Sequence, residues 1–366
     1  MYFDERISQV ALSLLPGIGP ATAKKLIETC GSAGEVFRQK KSKLIRLPQY
    51  GEAIALALKD DAVFHAAENE LAFAAKKNIA VIGCADELYP HRLRQCADRP
   101  VVLYYEGNAK LNAKRMVGIV GTRRVTAYGE RLTEELVESL SGLGITIVSG
   151  LAYGVDIIAH KAALKHGLPT IGVLAHGLDK LYPHAHKSTA RKMTEAGGLL
   201  SDFPGGTKPD KENFPKRNRI VAGLCDAIVV IESGESGGSM ITAEYANNYN
   251  REVFAFPGRI GDEFSAGCHK LIKNHKAALI ESGDDLLRYM NWGERRKKTE
   301  IQPELAMPSD PDEEKIVQVL RTEGTLHADE IATGTGLPDG KTAALLLKLE
   351  FAGFVKALPG KFFRLA

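Results

Sequence analysis

The sequence predicts a doubly wound α/β protein with a small helical module in front of it and a winged helix behind it. Three observations carry that expectation. From Ile79 onward, short β-branched runs alternate with amphipathic stretches of helical length. The runs are apolar without alternation, as in strands buried on both faces of a parallel sheet. Most of them end in Gly or Ser, and ligands of such sheets collect at the carboxyl ends of the strands.

The elements follow in order. Residues 9–29 read as helix, then Pro16-Gly17-Ile18-Gly19-Pro20, then helix. This is the helix-hairpin-helix pattern, whose hairpin amides meet a DNA phosphate with nearby lysines, here Lys24 and Lys25, in support. The alternative is a hairpin that only packs two helices. KSKLIRLP (Lys41 to Pro48) continues the module, which ends near residue 60, and a helix over Asp60 to Asn78 leads into the sheet. The predicted strands are IAVIG, VVLYYEG, MVGIVG, ITIVSG, TIGVLAHG, GLLSDFP, AIVVIESG, EVFAFPG and AALI, giving a core over 61–290. Residues 291–311 are polar, charged and proline-bearing, a linker. Residues 312–366 read as a helix, a short segment, a recognition-like helix and a hairpin-like end, the order of a winged helix. That segment holds seven Lys/Arg against eight Asp/Glu, so it has no general basic surface, and a protein-contact role stands beside a DNA-binding one.

Length and composition bound the function. The 366 residues are 44% hydrophobic and 25% charged, an ordinary balance for a chain of two or three domains. The net charge is +3, so affinity for a polyanion must come from local clustering. Cys30, Cys84, Cys96, Cys225 and Cys268 are scattered without a CxxC pair, which predicts reduced thiols and neither a zinc site nor a disulfide framework. The charged start MYFDERISQV and the absence of any apolar run near 20 residues predict a cytoplasmic protein with no membrane partner.

Clustering occurs in one place. Between Thr207 and Arg219 stand Lys208, Lys211, Lys216, Arg217 and Arg219 against Asp210 and Glu212, with Phe214 among them. A strand, Ala227 to Ile231, follows, then the turn ESGESGGS with Gly237, Gly238 and Ser239, then a helical stretch. Strand, glycine turn and helix present unpaired N–H groups and a positive dipole end, a natural phosphate site. Cations interleaved with an aromatic suit a flexible nucleic-acid strand, whose bases stack while its phosphates pair. A solvated charged face is the plainer alternative.

Two further turns have similar chemistry. GTRRVTAYG places Gly121 and Thr122 in a turn with Arg123 and Arg124 beside it, and SGLAYGVDIIAHKAAL opens another helix from a glycine turn. None has the GxxxxGK[ST] or GxGxxG spacing, so ATP hydrolysis, hydride transfer and a bound cofactor lack support, and no catalytic residues are assigned. Asp156 and His160, at i and i+4, read as a local hydrogen-bonded pair.

GTRRVTAYG, SGLAYGVDIIAHKAAL, VLAHGLDKLYP, LLSDFP, FPKRNRIVAGLCDAIVVIESGESGGSMITAEYA and VFAFPG stand in the order and spacing of the DprA (Smf) family of DNA-processing proteins, which the chain closely resembles over 80–280. The resemblance implies an extended Rossmann-like core that binds single-stranded DNA, a homodimer, and loading of a RecA-type recombinase onto DNA entering during natural transformation. It implies no enzymatic activity. Carried to this sequence, the DNA pocket comprises Arg123, Lys211, Phe214, Arg217, Asn218 and Arg219, with Gly121, Thr122, Gly237, Gly238 and Ser239 alongside. Thr126, Val155, Asp202 and Cys225 depart mildly from the pattern. His269 and His275-Lys276 depart further.

Duller readings of these residues stay open. Arg217 and Arg219 lie two apart, so on a helix they point about 200° from each other, and one of them could pair with Asp226 or Glu232. Phe214 precedes Pro215 and could be packing, and Asn218 is expected to tie loop backbone. Two other functions compete. A Rossmann-type nucleotide phosphoribohydrolase uses a PGGxGTxxE loop that SGGSMITAE resembles at the wrong spacing, and a duplex-DNA repair accessory would act through the helix-hairpin-helix.

Overall fold

The structure is a computed structural model and describes residues 4–40, 58, 62–293 and 310–365. The expected helical continuation at 41–48 and most of the expected linker lie outside those residues. The chain divides into two compact units, Met1–Arg295 and Arg296–Ala366.

The first unit is built on a nine-stranded sheet: β1 (Ala80–Gly83), β2 (Val102–Gly107), β3 (Arg115–Val120), β4 (Ile145–Ser149), β5 (Thr170–Val173), β6 (Gly197–Ser201), β7 (Ala227–Val230), β8 (Glu252–Ala255) and β9 (Ala278–Leu279). Each of these strands overlaps one of the nine apolar runs read from the sequence, with β3 and β6 starting one residue before theirs. The order is β1-β2-β6-β5-β4-β3-β7-β8-β9. From β6 to β9 neighbours run parallel, while β1 and β2 add an antiparallel edge beyond β6.

Side chains of a strand alternate between faces, and the two faces hold separate cores. On β7, Ile228 and Val230 join one apolar cluster while Ala227 and Val229 join the other. The first cluster includes Ile220 and Ala243 from helices Asn213–Leu224 and Gly238–Asn248. The second includes Leu136 and Ala159 from helices Ala127–Ser139 and Val155–Lys165. β3 and β7 are neighbours whose following helices go to opposite faces. The chain therefore parts between them at their carboxyl ends, the switch point where such sheets bind ligands.

At the amino end, helices Glu5–Leu14 and Pro20–Cys30 flank the Pro16–Gly19 hairpin, and Val10, Leu12 and Leu26 enter the same cluster as Leu93 and Tyr104. Lys24 Nζ donates to the Cys96 carbonyl at 3.3 Å, so this lysine braces the core rather than reaching outward in support of the hairpin.

The second unit contains helix Pro311–Glu323, β10 (Leu326–His327), helices Ala328–Thr335 and Asp339–Phe351, and the hairpin β11 (Val355–Leu358) and β12 (Phe362–Leu365). β12 pairs with both β10 and β11. This is a winged helix, with Ile316, Leu320, Ile331 and Leu346 at its centre.

Candidate nucleic-acid interface

A cleft of about 800 Å³ opens at the switch point. Turns after β3, β4 and β7 line it, together with the segment entering the Asn213–Leu224 helix and residues 263–264 after β8. Backbone bonds lock the first three turns together. Thr122 N–H donates to the Glu232 carbonyl at 2.8 Å, and Val155 N–H donates to the Thr122 carbonyl at 3.3 Å. Gly154 has φ +76°, and a Cβ there would collide with the Thr122 carbonyl, so only glycine allows this approach.

Gly121, Thr122, Arg123, Lys211, Phe214, Arg217, Asn218, Gly237, Gly238 and Ser239 all line the cleft. Arg123 and Lys211 are exposed and Phe214 is half-buried. The Arg123 guanidinium carbon stands over the Phe214 ring, 5.2 Å from its centroid. Phe214 is placed by a turn in which Asp210 accepts from Glu212 N–H at 2.9 Å and from Asn213 N–H at 3.0 Å. Pro215 is tolerated because it falls in the first helical turn, where its missing N–H has no intrahelical partner to lose.

The Gly238–Asn248 helix begins at the cleft without a side-chain cap. Its first N–H groups and positive dipole end therefore face an anion-sized space. Ser239 is buried and its hydroxyl pairs with that of Ser233 at 2.8 Å, so it holds the turn.

The arginines and Asn218 divide in a way the sequence left open. Arg217 is 3% exposed at the cleft floor, donating to the carbonyls of Gly150, at 2.5 Å, and Val173. Burial pushes its pKa down to about 10, with Asp156 pulling back upward, so it remains charged at neutral pH. Asn218 accepts from Arg217 Nε at 3.1 Å and donates to the Gly238 carbonyl at 3.1 Å, tying loop backbone as expected.

Arg219 does not line the cleft. It donates to Asp202 at 2.6 Å and to the Asp98 carbonyl, with both charged side chains of the ion pair nearly buried. Burial works against its charge, and the attraction of Asp202, with Asp98, Tyr249 and Tyr89 adding to it, together outweighs burial and raises its pKa. Neither arginine takes the partners considered for it, because Asp226 pairs with Arg92 at 2.6 Å and Glu232 binds Thr126.

Asp156 and His160 are not a pair. Asp156 accepts from the N–H groups of Gly150, at 3.1 Å, and Ala152, at 3.3 Å, and so shapes the β4 turn. Burial raises its pKa while Arg217 opposes the rise. His160 Nδ1 instead meets Thr170 Oγ1 at 2.7 Å. Burial, with Arg217 adding to it, pushes the His160 pKa down to about 3.

Tyr182 and Phe264 line the cleft without being assigned to it from the sequence, and Arg124, read there only as standing beside the turn, lines it too. Tyr182 is 46% exposed and lies 6.0 Å from Phe214, centroid to centroid. Its N–H donates to Nε2 of the buried His176 at 3.2 Å. Arg124 stands over Phe264, 5.4 Å from the ring centroid. An aromatic in a loop at the carboxyl edge was the available signal for Tyr182 and Phe264, but only packing brings either one to the cleft.

Among the described residues no group of three or more His, Cys, Asp or Glu could hold a metal ion, and no helix is long and apolar enough to cross a membrane.

Comparison with known proteins places this arrangement. The family model described as DNA recombination-mediator protein A matches residues 80–291, and the DprA winged helix domain matches 300–361. Protein Smf of Escherichia coli is 36% identical over 305 residues, 81% of this chain and 80% of that protein. The DNA processing protein DprA of Streptococcus pneumoniae is 36% identical over 273 residues, 69% of this chain and 96% of that protein. The X-ray structure of the S. pneumoniae protein matches with TM-score 0.65 at 34% identity, covering 79% of this chain and 98% of that one. A structure of DNA processing protein A from Helicobacter pylori, described for its single-stranded DNA binding mode, matches with TM-score 0.54 at 30% identity, covering 59% of this chain and 97% of that one. On these matches, the chain belongs to the DprA/Smf family of DNA recombination-mediator proteins.

Proposed function

We propose that the cleft binds single-stranded DNA and that the chain, as a homodimer in the cytoplasm, loads a RecA-type recombinase onto the bound strand during transformation or recombination. The observation that carries the binding reading is that Arg123, Lys211 and Phe214 share one cleft beside an uncapped helix N-terminus. Phosphates meet Arg123, Lys211 and the Gly238 turn, while a base stacks on Phe214. Such stacking tolerates any sequence because every base has a π-face, and duplex DNA keeps those faces covered. The H. pylori neighbour's single-strand binding mode supports the same assignment. The dimer and the recombinase partner rest on the family resemblance.

A gel shift comparing single-stranded and duplex oligonucleotides of equal length tests the reading. Preferential retention of the single strand, weakened in an Arg123→Gln, Lys211→Gln double variant, is expected. Equal retention of duplex, unchanged in that variant, would move binding away from the cleft.

A further inference from the structure

We infer that Phe264 and Arg124 form a second base-stacking station, so that the strand crosses the cleft and sets bases on rings on both sides of the switch point. This rests on the single-strand reading above and specifies where the strand runs.

The sheet order supplies the geometry. Across the carboxyl edge the strands follow one another as β5, β4, β3, β7 and β8. Tyr182 comes from the loop after β5, Phe264 from the loop after β8, and the turn with Arg123 and Arg124 follows the middle strand, β3. Four inter-strand steps of about 4.8 Å span about 19 Å. Consecutive arginines of that central turn pair with different rings, Arg123 at 5.2 Å from Phe214 and Arg124 at 5.4 Å from Phe264. The uncapped start of the Gly238–Asn248 helix follows β7, the strand between β3 and β8.

Phe264 is built in rather than draped on the surface. Its carbonyl accepts from Ser233 N–H at 2.6 Å, and Gly267 N–H donates to the Ser233 carbonyl at 2.8 Å, so the loop is fastened to the end of β7. Its ring is half-buried with a guanidinium over one face. A cation over a ring keeps that face occupied in the free protein. A base has the same flat shape and takes the ring face, and the displaced guanidinium is then free for the adjacent phosphate. One turn thus serves two stations, each with a ring for the base and an arginine for the charge.

The test measures affinity of the full chain for an oligothymidylate and for a strand of equal length carrying abasic sites, with Phe264→Ala, Phe264→Leu and Phe264→Trp. Phe264→Ala and Phe264→Leu should each weaken oligothymidylate binding between about fivefold and a hundredfold, the effect of one lost stack. They should leave the abasic strand nearly unaffected. Phe264→Trp should restore affinity, with its indole fluorescence quenched on binding. If Phe214→Ala weakens binding while Phe264→Leu does not, the second station falls and the single-strand reading stands. If Phe264→Leu weakens both strands equally, the ring is structural and the station falls. Should the wild-type chain bind neither strand, both readings fall together.

Discussion

Thr126 and Glu232, 106 residues apart in the chain, are joined by two hydrogen bonds. The Glu232 carboxylate accepts the Thr126 N–H at 2.9 Å and its hydroxyl at 2.5 Å. The Thr126 hydroxyl oxygen also accepts from Gly129 N–H at 3.2 Å, capping the Ala127–Ser139 helix. One carboxylate after β7 therefore fixes the turn after β3, and with it the direction of Arg123 and Arg124. Replacing Glu232 with Ala removes both bonds and the anchor of that cap. Unfolding in urea should show a loss of about 2 kcal/mol, and single-strand affinity should fall with a flatter salt dependence, because Arg123 loses its aim at a phosphate.

Charge and stacking at the proposed site separate by salt. Arg123→Gln and Lys211→Gln should each flatten the plot of log affinity against log salt by about 0.7, the increment for one single-strand phosphate. Phe214→Ala should weaken binding by about 1–3 kcal/mol without altering the slope. Identical slopes in all three variants would contradict these roles.

Arg219 provides a control inside the same helix. Removing one partner of a buried ion pair costs about 3–5 kcal/mol because the other charge is left uncompensated. Arg219→Met should therefore lower stability by about that amount through Asp202, while the protein that stays folded binds DNA normally. A normal melting curve with lost binding would place Arg219 on the strand instead.

His160 sets an acid limit on stability. Its pKa is pushed down to about 3 by burial, whereas in the unfolded chain it is about 6.5. Below pH 6.5 the unfolded state takes up a proton that the folded state refuses. Stability then falls as pH drops from about 6.5 toward 3, by up to about 1.4 kcal/mol per pH unit. Urea midpoints measured between pH 8 and pH 5 should decline in the wild type and decline less in His160→Asn.

The sequence by itself determined the sheet and the chemical character of its rim. Runs such as Ala227 to Ile231 announce buried parallel strands because burial on both faces demands unbroken apolar residues, a local property of the chain. The turns carrying Arg123, Lys211, Phe214 and Gly238 were legible for the same reason: glycine geometry and charge density are written in consecutive residues. Only the tertiary structure decided which cations remain available. Arg217 and Arg219 look alike in sequence, yet one is engaged by the Gly150 and Val173 carbonyls at the cleft floor and the other by Asp202 away from it. It also decided that Tyr182 and Phe264 share a cleft with Phe214, and that Asp156 and His160, one helical turn apart, have different partners. The physical reason is that a polar side chain binds whatever donor or acceptor the fold sets within about 3 Å of it, and those neighbours come from strands far apart in the chain.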